Sequence, residues 1–169
     1  EISCSLVGSE MCIRDSIYIV GFRSSSFLAG YLNFYFRLIY DNVTQVQGGA
    51  AGTFDQLFRV GPGDVVIAIC FPRYSELALK TVQYAKDRGA TIIGVTDSEM
   101  SPVYQMSSGS LLVRNEMISF VDSLAAPMSM LNALILAAAH KQGTDISATF
   151  NELEHVWDRF GIFGKVEDE

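Results

Sequence analysis

The chain has 169 residues, 49% hydrophobic and only 18% charged, which suffices for one domain with a substantial core and excludes an intrinsically disordered protein. Its formal net charge of −7 and pI near 4.8 repel a phosphate backbone, so this segment by itself is a poor binder of nucleic acid. Three cysteines (Cys4, Cys12 and Cys70) form neither a metal-binding spacing nor an even disulfide set, and a reducing cytoplasm is the simplest compartment.

Residues 1–16, EISCSLVGSEMCIRDS, show neither helical nor strand period and are too polar for a secretory signal. The stretch SLVGSEMCIRDS resembles a translated sequencing-adapter remnant. Residues 1–16 are therefore expected to be a non-native leader outside the fold, with the domain occupying 17–169, C-terminal helix included. Residues 17–21 read as a short apolar strand, followed by the loop Phe22-Arg23-Ser24-Ser25-Ser26. A helix is expected over 27–39, with Phe27, Tyr31, Phe34, Tyr35 and Leu38 forming its apolar face. Asp41-Asn42 turns the chain into a strand at 43–46, the glycines of 48–52 form a loop, and a short helix is expected at 53–59.

The stretch 63–98 organises the rest. Residues 65–70, VVIAIC, are continuously apolar and rich in β-branched side chains, as a strand covered on both faces must be. Pro72 cannot join a ladder, so Phe71-Pro72-Arg73-Tyr74 ends the strand. Ser75 is placed to N-cap a helix that carries Leu77, Leu79, Val82 and Ala85 inward and stops at Gly89. A second buried strand follows at 91–95, and Thr96-Asp97-Ser98 opens the next loop. Strand, helix and strand make one βαβ unit, whose ligands sit at the C-terminal ends of its strands.

Further on, Ser101-Pro102 starts a short helix and 110–113 reads as a fifth strand. A long helix is expected over 120–141, and a last amphipathic helix over 145–160 with Ile146, Phe150, Leu153 and Trp157 inward. The uncharged run 123–139 is shorter than about 20 residues and carries Pro127 and Asn132, so it suits a buried or interface helix better than a membrane span. The alternation predicts an α/β fold, a five-stranded parallel sheet in a three-layer α/β/α sandwich of flavodoxin-like, Rossmann-type topology.

The chain contains no P-loop, GxGxxG or GxSxG motif. His140 and His155 lie far apart near helix ends without clustered cysteines or carboxylates, so no metal is expected, and Cys70 reads as a small core residue. The serines carry more information. Ser24, Ser25 and Ser26 follow the first strand, Ser75 the third, and Ser98 and Ser101 the fourth, with Arg23 and Arg73 beside two of these loops. Each serine alone is most simply a helix cap. Together they describe a pocket for a small phosphorylated polyol.

The segments IYIVGFRSSSFLAGYL, GDVVIAICFPRYSEL, IIGVTDSEMSP and SFVDSLAAPMSMLNAL carry a family resemblance. In that order and spacing, from Ile17 to about Lys141, they resemble the SIS (sugar isomerase) domain, and more narrowly the effector half of RpiR-type (MurR/RpiR family) transcriptional regulators. Isomerase members usually carry Ser-x-Ser-Gly-x-Thr after the third strand; here Cys70, Pro72, Arg73 and Ser75 stand at the Ser, Ser, Gly and Thr positions. The resemblance implies sugar-phosphate binding by Ser24, Ser25, Arg73, Ser75 and Ser98, no cofactor, and a cytoplasmic homodimer or dimer of dimers. It also implies DNA contact only through an N-terminal helix-turn-helix domain missing from a truncated chain, and no membrane. The alternative it leaves open is an aldose–ketose phosphosugar isomerase with Glu116 as the base. A third possibility is a purely structural dimerisation module built on the long helix, in which Arg73→Ala would leave every ligand measurement unchanged.

Overall fold

Runs of β-branched residues set the frame of the protein, which we describe from a computed structural model over residues 16–115, 117–118, 121–143 and 146–163. The element order is β1 (Ile17–Val20), α1 (Ser25–Phe36), β2 (Val43–Val46), α2 (Ala50–Gln56), β3 (Val65–Ile69), α3 (Glu76–Asp87), β4 (Thr91–Thr96), α4 (Pro102–Met106) and β5 (Gly109–Leu112). A short hairpin, β6 (Met117–Ile118) and β7 (Val121–Asp122), then leads into α5 (Ala125–Gln142) and α6 (Ile146–Phe160).

The five main strands form one all-parallel sheet in the order β2-β1-β3-β4-β5. Ile17 sits opposite both Val43 and Val65, Val65 opposite Thr91, and Ile93 opposite Gly109. Successive side chains of a strand face opposite sides, and β3 shows the consequence. Ile67 and Ile69 pack with Leu28, Leu32 and Phe36 of α1 and Leu131 and Ile135 of α5. Val66 and Ala68 pack on the other face with Ala78, Val82 and Ala85 of α3, Leu57 beyond α2, and Val103 of α4. Helices thus cover both faces, and the α/β reading with its five-stranded parallel sheet holds.

One close approach inside the sheet depends on a missing side chain. A Cβ on Gly94 of β4 would lie 2.7 Å from Ser107 Oγ and 2.9 Å from Ser110 Oγ, so only a hydrogen fits where α4 turns into β5.

Several expectations are corrected. Helix α1 begins at Ser25 and ends at Phe36, its C-terminal residues 37–39 continuing as tight turns, among them Leu38 N–H to the Tyr35 carbonyl and Ile39 N–H to the Phe36 carbonyl. Its buried face is Ser25, Leu28, Ala29, Leu32 and Phe36, whereas Phe27 and Phe34 point outward at 72% and 55% exposure. This helix is apolar around most of its circumference, so periodicity alone does not select the inward stripe. Helix α2 starts three residues earlier than expected, at Ala50, and β5 one residue earlier, at Gly109. On α3 the buried residues are Ala78, Thr81, Val82 and Ala85, with Leu77 and Leu79 only partly covered.

The long helix starts at Ala125, because Asp122 and Val121 pair antiparallel with Met117 and Ile118. Helix α6 turns Phe150, Leu153 and Trp157 to the same side, but each is only half-buried. No helix among the described residues is long and apolar enough to cross a membrane.

Candidate functional site

Strand order reverses between β1 and β3: the chain leaves β1 for α1 on one face and β3 for α3 on the other. The two loops therefore part at the C-terminal ends of adjacent strands and leave a cleft, the place where open parallel sheets bind ligands. That cleft encloses about 260 Å³ and is lined by Phe22, Arg23, Ser24 and Ser25 after β1, by Ile69, Cys70, Phe71, Pro72, Arg73 and Ser75 after β3, and by Asp122 of β7. Four of the five sequence-predicted binding residues, Ser24, Ser25, Arg73 and Ser75, meet here.

Both loops share an unusual backbone. Arg23 has φ 57° and Arg73 φ 63°, while the other positive-φ residues among the described ones are all glycines. For a side chain larger than glycine the left-handed region costs about 1–2 kcal/mol. The matching turns place one guanidinium beside each strand end. The Arg23 turn is held by Ser26, whose backbone N–H and hydroxyl both donate to the Arg23 carbonyl, at 3.0 and 2.6 Å.

The hydroxyls divide their work. Ser75 caps α3 by accepting the Ala78 N–H at 3.5 Å, which leaves its own proton to donate. Ser24 makes no side-chain cap bond; its hydroxyl donates instead to Asp122 Oδ2 at 2.8 Å. Ser25 is buried in the first turn of α1. With the first turns of α1 and α3 at the cleft, backbone dipoles, hydroxyls and two arginines combine into surroundings suited to an anion. Asp122 is the exception, 3.8 Å from the Arg73 guanidinium.

Ser98 is placed elsewhere. Its hydroxyl accepts the Met100 N–H at 3.0 Å and its carbonyl accepts the Ser101 N–H, so it closes its own turn after β4 and does not line the cleft. Ser101 caps α4 through the Tyr104 N–H. Cys70 is buried, and that burial pushes its thiol pKa up, against a hydrogen bond from the Ser75 backbone that pulls it down. An undissociated thiol at the cleft floor suits a packing role. His140 and His155 are exposed on α5 and α6, and no group of potential metal ligands occurs among the described residues. Glu116 lies outside the described residues.

Four lining residues escaped the sequence reading, namely Phe22, Ile69, Phe71 and Asp122, of which Ile69 and Phe71 read only as the end of a buried strand. Phe22 offered no signal in a loop. Asp122 was hidden because a helix beginning at residue 120 would hold an acidic side chain favourably in its first turn, leaving nothing to explain.

The β3–α3 loop is anchored from the side. Tyr74 donates its hydroxyl proton to Asp97 Oδ1 at 2.8 Å, tying the turn that carries Arg73 to the end of β4. Burial, and then the Asp97 carboxylate, push the Tyr74 phenol up to about 12. A raised pKa stabilises the fold fully below the ordinary value of 10.0 and loses that contribution as pH rises through about 12. Tyr74→Phe should therefore cost about 1 kcal/mol near neutral pH. Urea denaturation in steps from pH 8 to pH 12 should show the wild type losing more stability above pH 10 than the variant.

A second, larger hollow of about 360 Å³ lies between α1, α5 and α6, lined mainly by Tyr31, Tyr35, Leu38, Ile39, Ile135, Leu136 and Phe150. It has no charged lining residue, whereas Arg23, Arg73 and Asp122 line the smaller cleft.

Comparison with known proteins agrees with the fold. The chain is similar in fold to the sugar isomerase domain of an RpiR transcription factor from Sphaerobacter thermophilus, with a TM-score of 0.77, 20% identity, and coverage of 83% of this chain and 79% of that one. It is also similar to the Vibrio vulnificus NanR protein complexed with ManNAc-6P, with a TM-score of 0.72, 14% identity, and 89% of this chain covered against 57% of the longer NanR. A Methanococcus jannaschii protein, whose structure is described as inferring a 3-hexulose-6-phosphate isomerase function, matches with a TM-score of 0.65, 13% identity, and coverage of 81% and 76%. A search among curated proteins found no match. The family model for the SIS domain matches residues 11–137, three quarters of the chain and all of the cleft, and the chain belongs to the SIS-domain family.

Proposed function

We propose that the cleft between β1 and β3 binds the phosphate of a phosphorylated sugar, and that the chain is the effector module of an RpiR-type DNA-binding transcriptional regulator. The observation that carries this reading is Arg73: an arginine held in the left-handed region, in the loop where the isomerase pattern has glycine, beside Ser24, Ser25 and Ser75. A glycine there serves the backbone alone, whereas an arginine at the same φ adds a permanent positive charge suited to a phosphate. The loss of the other patterned hydroxyls, at Cys70 and Pro72, fits a pocket that holds its ligand without transforming it. The similarity to the RpiR and NanR structures, the latter holding ManNAc-6P, supports the same choice.

In this reading the module works in the cytoplasm as a homodimer or dimer of dimers, and operator contact belongs to a helix-turn-helix segment outside these 169 residues. The sugar phosphate would favour one of two dimer arrangements that differ in operator affinity. The test is isothermal titration calorimetry with a panel of phosphosugars that includes ManNAc-6P. Saturable binding of at least one is expected; binding of none by natively folded protein would overturn the proposal.

The isomerase-like structures among its relatives favour one second reading, a phosphosugar isomerase with Glu116 as base. That reading requires turnover of a ketose phosphate that Glu116→Gln abolishes. Under the regulator reading the wild type binds its ligand and releases it unchanged, as product analysis by NMR would show.

A further inference from the structure

Asp122 is a carboxylate set among anion-binding groups. One of its oxygens accepts the Ser24 hydroxyl at 2.8 Å, and the other stands 3.8 Å from the Arg73 guanidinium. Its side chain is only 23% exposed and lines the same cleft as Ser25 and Ser75. A carboxylate can only accept hydrogen bonds, and it carries the same sign of charge as a phosphate. It therefore occupies the Ser24 donor, pairs more loosely with the charge of Arg73, and repels any anion that approaches the rest.

We propose that Asp122 is an internal anion that competes with the ligand for Ser24 and Arg73, so that binding exchanges one anion for another. This inference rests on the phosphate-binding reading of the cleft. The incoming group takes the Ser24 proton and the guanidinium, and Asp122 withdraws with β7, a strand that pairs with β6 and not with the main sheet. Because Asp122 lies three residues ahead of Ala125, the displacement acts on the entry to α5. The protein so gains a link between its ligand and its longest helix, and gives up affinity in return.

The experiment titrates wild type, Asp122→Asn and Asp122→Ser with inorganic phosphate and with glucose 6-phosphate by calorimetry, each variant first matched to wild type by circular dichroism. Asparagine keeps the shape and an acceptor for Ser24, and serine covers the case in which asparagine misfolds. Both variants should bind both probes about tenfold more tightly, because each removes the negative charge that competes with the ligand. Unchanged affinity overturns the inference. So does weaker binding of glucose 6-phosphate with inorganic phosphate unaffected, which would make Asp122 an acceptor for sugar hydroxyls and leave the phosphate cleft standing. No binding of either probe by any of the three proteins overturns the inference, whereas the reading it rests on falls only if no member of the phosphosugar panel binds.

Discussion

Replacing Arg73 by glycine should weaken phosphosugar binding about tenfold to a hundredfold without destabilising the fold. The binding loss follows from removing a charged donor to phosphate, worth about 1.5–3 kcal/mol. Stability follows from the backbone: φ 63° strains an arginine and suits glycine. Arg73→Ala separates the two effects, since alanine removes the charge and keeps the strain. The glycine variant should be more stable than the alanine variant by about 1 kcal/mol, while the two bind equally weakly. Urea midpoints and calorimetry on the same preparations check both halves. The ion pair with Asp122 does not disturb the comparison, because both variants remove it alike.

Gly21→Ala should cost about 1–3 kcal/mol of stability and weaken binding as well. An added Cβ would lie 2.6 Å from the Ser25 carbonyl oxygen and 3.0 Å from Ala29 Cβ. Neither is a flexible side-chain end, so the first turn of α1 must retreat from β1. Ser25 is a lining residue of the cleft and moves with that turn. Gly52 provides the contrast. It lies in α2 with nothing within 4 Å of where a methyl group would stand, so Gly52→Ala should raise stability by about 1 kcal/mol and leave binding alone. Chemical denaturation of the two variants, followed by titration with the same phosphosugar, measures both outcomes.

The β3–α3 unit was readable in the residues because each of its signals is local. A β-branched run, a proline that cannot join a ladder, a serine at the cap and a glycine with φ 90° at Gly89 all act within a few residues of themselves. The sheet followed from the same kind of signal, since strands covered on both faces are continuously apolar. Helix α1 shows where this fails. Aromatic and aliphatic side chains surround it, and what chose Leu28, Leu32 and Phe36 as the inward stripe was the shape of the sheet beneath.

The site divides along the same line. Serines and arginines at strand ends announce themselves, because the topology brings loops after β1 and β3 together whatever lies between. Ser98 had the same local appearance, yet β4 is not at the point where strand order reverses, and its hydroxyl is used within its own turn. Asp122 reaches the cleft from 98 residues beyond Ser24, carried by a two-residue strand too short to leave a period. Its position depends on tertiary structure alone.

The most direct test of the central claim is where a phosphosugar binds. Two-dimensional 15N NMR of the wild-type chain, titrated with the panel member that gives the largest calorimetric signal, should shift the amides of residues 23–26 and 73–76 together and saturably. Saturable shifts confined to the hollow between α1, α5 and α6, with both strand-end loops unmoved, would contradict it.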